Sequence, residues 1–291
     1  MLVLVGTVPV EGLPLTHGQV KYLGNKLLIG DYTLEGQYVT LGTAAMISAA
    51  SAASQAVGAA EPHAFVIGDT GMGEGTSILI NHLAKELAVI KPDVMTLHYI
   101  LPTRDTFIGL VEAAHKMEKR PFLIADAGAL LNAKAVKLAK KFDLFTPDPG
   151  ELSFLADPEA AHPAYVQHFI FDVDQTDVPR LSQTAYANGD APKYMIVKAP
   201  TDHVIVDGQV AGVIREPNVP SLEPIGGTGD TITGIVSALI AFGMPVVEAC
   251  TAACKINRVA GELANPNPAT TIAQFIPHIS EAVRRVVGTK G

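Results

Sequence analysis

The chain has 291 residues and a formal net charge of −8; 48% of its residues are hydrophobic and only 17% are charged. This apolar composition excludes a largely disordered chain. The acidic balance argues against nucleic-acid binding, which needs a basic face. A phosphate ligand stays open, because one lysine and a helix N-terminus can form a small positive site on an acidic protein.

Short β-branched runs alternate with helix-period segments along most of the chain. The predicted strands are, in chain order, 1–5, 26–29, 64–67, 94–98, 122–125, 144–146 and 194–197. The predicted helices are 41–57, 77–89, 107–119, 129–141, 246–263 and 272–287, and a further one begins beside Asp230. This alternation predicts an α/β fold of three layers, in which a mostly parallel central sheet carries helices on both faces.

Two segments depart from the alternation. Residues 204–206 and 210–214 flank an Asp-Gly pair, which predicts an antiparallel hairpin at one edge of the sheet. Residues 157–192 are irregular and contain four prolines; they are interpreted as an insertion that forms a flap, an oligomer contact or a variable surface loop. We expect a single domain over residues 1–291 and assembly into a homo-oligomer.

The location of the protein is predicted from what the sequence lacks. Its two cysteines, Cys250 and Cys254, allow no disulfide framework and favour a reducing cytoplasm. Their spacing indicates two small buried side chains on one helix, with a metal site as the alternative. Stretch 40–60 is too weakly apolar to cross a membrane, stretch 235–247 is too short, and no basic residues precede the N-terminal apolar run.

One motif carries most of the functional argument. The sequence Ile-Gly-Gly-Thr-Gly-Asp-Thr over residues 225–231 is followed at once by a helix whose apolar residues recur at i, i+3, i+4, i+7 and i+8. Glycines let the backbone turn its N–H groups toward a ligand, and a helix N-terminus adds unpaired donors and partial positive charge. We therefore expect a phosphate-binding loop formed by Gly226, Gly227, Thr228 and Gly229.

Asp230 sits in the first turn of that helix, where the phosphate would be. A carboxylate beside a phosphate is useful if it works on a proton, so we predict that Asp230 is the base that deprotonates a substrate hydroxyl. The alternative interpretation is a glycine-rich turn with an aspartate favoured by the helix dipole.

This loop resembles that of the ribokinase-like superfamily, whose members share a G-[AT]-G-D loop near the C-terminus that opens a long apolar helix. In that superfamily the Asp is the catalytic base. The chain is most similar to the ADP/ATP-dependent NAD(P)H-hydrate dehydratases, in which the hydroxyl of the hydrated nicotinamide is phosphorylated and loss of phosphate restores the double bond. The resemblance implies ATP or ADP and Mg²⁺ as cofactors.

Further segments carry the same likeness over about residues 26–288. Residues 122–130 resemble a V-L-D-A-D-A-L strand end, with Asp126 at the first Asp and Gly128 at the second. Residues 144–151 resemble L-T-P-H-P-G-E, with Asp148 in place of His, and also fit the T-P-N-x-x-E of sugar kinases. Residues 196–199 resemble V-L-K-G, with Lys198 matched and Ala in place of the last Gly. Residues 67–73 resemble I-G-P-G-L-G with one residue extra.

Roles for the supporting residues follow from these positions. Glu151 could hold Mg²⁺ through water, or it could complement the dipole of the helix that it begins. Lys198 could pair with a phosphate, or it could lie in solvent at the end of its strand. The substrate-binding candidates are, by position, Gly71, Gly73, Asp126 and Asp148. For the glycines a plain β–α turn is the alternative, and for Asp126 a helix cap. His17, before Gly18, is placed in a loop that could touch substrate.

The leading hypothesis is thus an Mg²⁺-dependent enzyme that transfers a phosphoryl group from ATP or ADP to a small hydroxyl-bearing substrate, with hydrated NAD(P)H favoured. The first alternative is a plain kinase of the same superfamily that acts on a sugar, a vitamin precursor or a nucleoside. The second is a catalytically idle nucleotide-binding regulator, against which the intact Asp230 and glycines argue.

Overall fold

The computed structural model describes residues 1–24, 26–35, 42–101, 103–160 and 177–288. Within these residues eleven strands form one sheet in the order β11-β10-β9-β8-β7-β6-β1-β5-β2-β3-β4. The strands are β1 (Leu2–Val8), β2 (Thr16–Tyr22), β3 (Lys26–Ile29), β4 (Tyr32–Glu35), β5 (His63–Gly68), β6 (Val94–His98), β7 (Phe122–Asp126), β8 (Leu144–Phe145), β9 (Tyr194–Val197), β10 (Asp202–Val206) and β11 (Gln209–Ile214).

The centre of the sheet is parallel, as the alternation predicts. Strands β5, β1, β6, β7, β8 and β9 pair in parallel. Both faces of these strands are covered, so their sequences are almost continuously apolar. In β1, Leu2 and Leu4 pack into one hydrophobic cluster while Val3 and Val5 pack into the other. Parallel pairing also brings the carboxyl ends of the six strands to one edge of the sheet.

Both outer edges of the sheet are antiparallel. The predicted hairpin is confirmed as β10 and β11, joined at Asp207 and Gly208. On the opposite edge β2 pairs antiparallel with β5, and β3 and β4 follow. Of this second group only 26–29 is predicted from sequence, because β2 (THGQVKY) is mostly polar, has a single fully buried residue and contains no apolar run.

The helices form the two outer layers. They are α1 (Thr43–Val57), α2 (Glu74–Ile90), α3 (Arg104–His115), α4 (Gly128–Ala135), α5 (Pro149–Ala156), α6 (Val178–Asn188), α7 (Thr228–Ala241), α8 (Val246–Ala264), α9 (Ile272–Phe275) and α10 (Ile279–Val287). Helices α1, α7, α8 and α10 pack on one face of the sheet, and α2 to α6 pack on the other. The predicted three-layer α/β/α class is confirmed.

Helix α7 lies very close to α1, and this contact places the glycine-rich loop at its start. A Cβ atom added at Gly234 would lie 2.1 Å from the carbonyl oxygen of Met46. Only glycine allows the two helix backbones to approach so closely. The first turn of α7 is thereby held against the carboxyl edge of the sheet.

Several predicted boundaries differ from the structure. The predicted helix 129–141 ends at Ala135 and is followed by a separate 3₁₀ turn, Ala139–Lys141, and the predicted helix 272–287 is interrupted by the 3₁₀ turn Ile276–His278. Part of the irregular segment is regular, since α6 lies within it, whereas 161–176 are outside the described residues.

The remaining expectations about the chain concern its cysteines and membranes. Cys250 and Cys254 are both fully buried on α8, as expected for two small core side chains. Among the described helices none combines the length and the apolar character that crossing a membrane requires.

Candidate active site

A cavity of about 500 Å³ opens at the carboxyl ends of β6, β7 and β9, beside the start of α7. This is where open α/β sheets bind their ligands. Most of the residues predicted from the sequence line it: Asp126, Asp148, Glu151, Lys198, Gly226, Gly227, Thr228, Gly229 and Asp230. The structure therefore brings together positions that are spread over more than one hundred residues of sequence.

The glycine-rich loop forms the N-terminus of α7. Gly227 is the N-cap residue with φ 98°, a left-handed conformation that glycine adopts without strain. It has no side chain with which to cap the first-turn N–H groups, and these groups are the natural donors for an anion. Asn257 on α8 holds the turn: its Nδ2 donates to the carbonyl oxygen of Thr228, and its Oδ1 accepts from the Thr231 hydroxyl at 2.6 Å.

Asp230 is held at the cavity by groups from two other elements. Its Oδ1 lies 3.0 Å from Nε2 of His98, the last residue of β6, and it also receives a backbone hydrogen bond from Gly42. Burial by itself would raise the pKa of Asp230, but the His98 hydrogen bond, the Lys198 charge and the Gly42 amide together lower it below its ordinary value. The Asp230 side chain is therefore ionised at neutral pH. It is 15% exposed to the cavity.

Asp126 and Lys198 form an ion pair at the floor of the cavity. Lys198 Nζ donates to Asp126 Oδ1 at 2.6 Å, and the Thr233 hydroxyl of α7 donates to Asp126 Oδ2 at 2.5 Å. Burial alone would lower the pKa of Lys198, but the carboxylates of Asp126, Glu151 and Asp230 raise it above its usual value. Lys198 thus stays charged, and its ammonium lies beside the loop, 3.6 Å from where a Cβ at Gly229 would be.

Asp148 and Glu151 begin α5 together. The Asp148 carboxylate accepts from the Glu151 N–H at 2.7 Å, and the Glu151 carboxylate accepts from the Asp148 N–H at 2.8 Å, with Pro149 in the first turn. This is a capping box, and it places Glu151 in the first turn of α5, where the alternative interpretation has it complement the helix dipole. Both side chains also line the cavity. Burial and the nearby Asp148 charge raise the pKa of Glu151 well above its ordinary value, against the effect of Lys198.

The second glycine-rich turn lies elsewhere. Gly71 and Gly73, predicted to contact substrate, connect β5 to α2 and are not among the described residues that line the cavity. The carboxylate of Asp69 occupies this turn: Oδ1 accepts from the N–H groups of Gly71, Met72 and Gly73, and Oδ2 accepts from that of Thr76. These donors are therefore already used by the chain itself.

A further part of the cavity is built by an arginine that the sequence did not single out. Arg258 on α8 pairs with Asp202 at 2.8 Å and donates to the carbonyl oxygens of Ala199 and Pro200. Its guanidinium therefore organises the turn after Lys198. Apolar residues complete the lining beside this turn and the glycine-rich loop: Pro217, Val219, Leu222, Ile225 and Ile232.

Three ligand-type side chains come close enough to suggest a metal. Atoms of His98, Asp126 and Asp230 all lie within 4.8 Å of one another. However, both oxygens of Asp126 already accept hydrogen bonds, and the Lys198 ammonium supplies the local positive charge. A dication here would meet that charge at close range, so this set fits a hydrogen-bonded network better than a metal site.

Besides Arg258, sequence reasoning missed His98 and Tyr99, and it assigned His17 to the wrong kind of element. His98 ends β6, and Tyr99, which lines the cavity, follows it directly. Their position at the carboxyl end of a predicted parallel strand was the signal that could have found them. His17 lies within β2, not in a loop, and stacks on Phe65 with ring centroids 4.8 Å apart. His17 is not among the described residues that line the cavity. Its ring instead packs on an aromatic side chain of β5, toward the antiparallel edge of the sheet.

Comparison with known structures defines the class of protein. The fold is similar to that of pyridoxal kinase from Entamoeba histolytica, with a TM-score of 0.59, 14% identity and coverage of 97% of this chain and 96% of that one. At this identity the likeness shows the fold alone. The fold is that of the ribokinase-like kinases, and the cavity at its carboxyl edge places the site where α/β folds bind ligands.

Sequence comparison then defines the family. The model of the Carb_kinase family, described as NAD(P)H-hydrate dehydratase, matches residues 101–285. The chain belongs to this family and is an enzyme of the carbohydrate-kinase-like superfamily. The matched range contains every predicted site residue except His17, Gly71 and Gly73.

Two curated relatives are archaeal. An uncharacterized protein of Methanocaldococcus jannaschii is 43% identical over 220 residues, which cover 76% of this chain and 90% of that protein. An ADP-dependent (S)-NAD(P)H-hydrate dehydratase of Cenarchaeum symbiosum is 32% identical over 155 residues, which cover 53% of this chain and 48% of that protein.

Proposed function

We propose that the protein repairs hydrated NAD(P)H, using ADP or ATP to phosphorylate the hydroxyl of the hydrated nicotinamide and then eliminating phosphate. The observation that carries this proposal is the placement of the ionised Asp230 carboxylate in the first turn of α7, next to the glycine-rich loop and near Lys198. The family match and the name of the Cenarchaeum symbiosum relative support the choice of reaction and favour ADP as the donor.

The nucleotide phosphates are expected at the start of α7. Gly226, Gly227, Thr228 and Gly229 line the cavity, and the helix dipole favours an anion there. Lys198 adds the cation that this loop lacks. The apolar lining residues beside the loop would contact the base of the nucleotide.

The first chemical step transfers a phosphoryl group. The acceptor hydroxyl gives its proton to Asp230 while its oxygen forms a bond to the terminal phosphorus, and the bond from that phosphorus to its bridging oxygen breaks, leaving its electron pair on the departing nucleotide. In the second step the C–O bond breaks with its electrons on the leaving phosphate. Loss of a proton from the neighbouring ring carbon then restores the double bond of the reduced nicotinamide.

The charges that line the cavity support the use of a divalent cation. Six carboxylates and two cationic side chains lie among its described residues, and Lys198 and Arg258 are each already paired with one of those carboxylates. A polyphosphate would be repelled by the rest. Asp148 and Glu151 offer oxygen ligands of the kind that Mg²⁺ prefers and would hold it; when bound, the ion neutralises charge on the phosphates.

Tyr99 is the aromatic group that the acceptor would meet. Its backbone has φ 46°, a left-handed conformation that a bulky residue rarely adopts, and the Thr7 hydroxyl donates to its carbonyl oxygen at 2.7 Å. The ring is 45% exposed and lines the cavity. A flat, half-exposed ring at this place can stack on the nicotinamide ring of the proposed acceptor.

The decisive experiment offers hydrated NADH and hydrated NADPH to the purified protein with Mg²⁺ and either ADP or ATP. We expect the absorbance of reduced nicotinamide to appear together with stoichiometric phosphate. Asp230→Asn should reduce the rate at which the signal appears by ~10²–10⁴-fold while nucleotide binding is kept.

Two results would contradict the proposal. Nucleotide consumption on a panel of sugars and vitamin precursors, with no reduced nicotinamide, would establish a small-molecule kinase. Nucleotide binding with no turnover on any acceptor would establish a regulator instead.

A further inference from the structure

His98 is a buried histidine whose two ring nitrogens are both engaged. Its side chain has no solvent exposure. Nδ1 lies 3.0 Å from the Thr43 hydroxyl at the start of α1, and Nε2 lies 3.0 Å from Asp230 Oδ1. The chain of contacts thus runs from α1 through β6 to the proposed base on α7.

The charge of Asp230 determines where the imidazole carries hydrogen. An ionised carboxylate only accepts hydrogen bonds, so Nε2 must carry the hydrogen that lies between them. With Nε2 protonated, the Thr43 hydroxyl can donate to Nδ1 and complete the ring's hydrogen bonds. The opposite tautomer would set a lone pair of Nε2 against the carboxylate, at a cost in a buried site.

The backbone around His98 is built to keep this arrangement. A Cβ atom at Gly6 of the neighbouring strand β1 would lie 2.2 Å from the His98 carbonyl oxygen and 2.7 Å from the Thr43 hydroxyl oxygen. A larger residue at position 6 would therefore displace both members of the contact. This close approach explains the glycine within a strand that is buried along its whole length.

We propose that His98 is the positioning residue of the reaction: with Nε2–H it fixes the Asp230 carboxylate in the orientation from which it accepts the substrate proton, and Thr43 fixes the tautomer of His98. This inference rests on the proposed role of Asp230 as base. It assigns His98 no contact with substrate or nucleotide. Four charged or titratable groups surround the pair. Asp126, Lys198 and Glu151 come from other elements, and Tyr99 directly follows His98.

The first test is spectroscopic and needs no turnover. Nitrogen-15 NMR of the imidazoles in the intact protein should show His98 Nε2 protonated at neutral pH in a strong hydrogen bond. Carbon-13 titration of the Asp230 carboxyl should show a higher apparent pKa in His98→Leu than in the wild type. A non-protonated Nε2, or an Asp230 titration that His98→Leu leaves unchanged, would overturn the inference.

The second test is kinetic and separates a donor effect from a packing effect. His98→Gln keeps an N–H donor at the end of the side chain, whereas His98→Leu removes it. We expect His98→Leu to lose ~10²-fold in kcat, the size of effect that a misplaced catalytic group produces. The acid limb of its pH–kcat profile should move to higher pH, because the pKa of Asp230 rises. His98→Gln should regain much of that loss. His115→Gln is the matched control, because His115 is a half-buried histidine that hydrogen-bonds the carbonyl oxygen of Lys141 away from the site.

Equal kcat and equal pH profiles in His98→Leu and the wild type would refute the role of His98. If His98→Leu does not fold, Thr43→Val and Thr43→Ser replace it. Thr43→Val should lose activity and the preference of His98 for the tautomer with Nε2 protonated. Thr43→Ser keeps a hydroxyl and should retain more of both. Absence of turnover in the wild type would count against the proposed function, and the NMR measurements would still decide the contact. Loss of turnover in Asp230→Asn together with normal His98 variants would refute this inference alone.

Discussion

Two glycine-rich turns in this protein look alike in sequence and differ in what they leave free. One joins β5 to α2, the other leads into α7. Each places a glycine of positive φ at the N-cap of its helix, Gly73 with φ 81° and Gly227 with φ 98°. Each contains three glycines within four or five residues and has one aspartate close to them.

The difference is the position of that aspartate. Asp69 precedes its glycines and folds back, so its carboxylate accepts four backbone hydrogen bonds and fills the turn. Asp230 follows its glycines, inside the helix, and its carboxylate is drawn away to His98 and Gly42. A glycine-rich helix start is thus an anion site only where the chain does not supply its own anion.

Asp230→Asn is the substitution in the two turns for which we expect the largest effect. The amide cannot accept the proton of the acceptor hydroxyl, so kcat should fall by ~10²–10⁴, while the dissociation constant of the nucleotide changes little. Steady-state kinetics and calorimetric titration with ADP measure the two quantities. An unchanged kcat would mean that both turns are structural.

Gly227 and Gly71, one from each turn and both of positive φ, offer a matched pair of substitutions. Gly227→Ala puts a Cβ 3.1 Å from Ile272 and forces a left-handed conformation, whereas Gly71, with φ 108°, has open space around it. Backbone strain should lower the stability of both variants by roughly 1–3 kcal/mol. Only Gly227→Ala should also weaken nucleotide binding. Equal binding losses in the two variants would place both turns at the nucleotide.

Asp69→Ala tests the self-filled turn. Its four backbone donors would lose their acceptor, and we expect the free energy of unfolding to fall by about 1–2 kcal/mol, as for the loss of a helix cap. Urea unfolding provides the measurement, and nucleotide affinity serves as the control that should not move. A large drop in affinity would show that this turn belongs to the site.

The smallest effect concerns pH. Burial would raise the pKa of Asp69, but its backbone hydrogen bonds lower it below the ordinary value of 3.8. A carboxyl whose folded pKa is depressed stabilises the fold above its unfolded pKa and loses that contribution as pH falls through the folded pKa. The stability difference between wild type and Asp69→Asn should therefore narrow in acid. A difference that stays constant over that range would show that the carboxylate charge is not what holds the turn.

The two turns also mark how far sequence reasoning reaches. The predicted phosphate loop, its helix and the strand ends that carry Asp126 and Lys198 all follow from local patterns, and the structure brings them to one cavity. The turn at Gly71 and Gly73 was predicted as a substrate contact because glycine spacing does not show which groups take the amide hydrogens. The capping box of Asp148 and Glu151 could have been predicted from the sequence. An aspartate three positions before a glutamate, with proline between them at the start of a helix, is typical of that motif.

His98 could not be assigned a role from its sequence neighbourhood. It ends a buried strand as an ordinary strand residue, and its partners come from α1 and α7, at sequence separations of 55 and 132 residues. The same holds for Arg258, which reaches Asp202 across 56 residues. Such pairs depend on which helices pack on which face of the sheet.

For this protein the amino-acid sequence by itself determined the layered α/β fold, the parallel centre of the sheet and the glycine-rich start of α7, because these follow from hydrophobic periodicity and local turn chemistry. Only the tertiary structure decided which turn is open to a ligand, how Asp230 is held and where the antiparallel strands β2 to β4 lie. Those outcomes depend on contacts between residues far apart in the chain, of which the close packing of α7 against α1 at Gly234 is one.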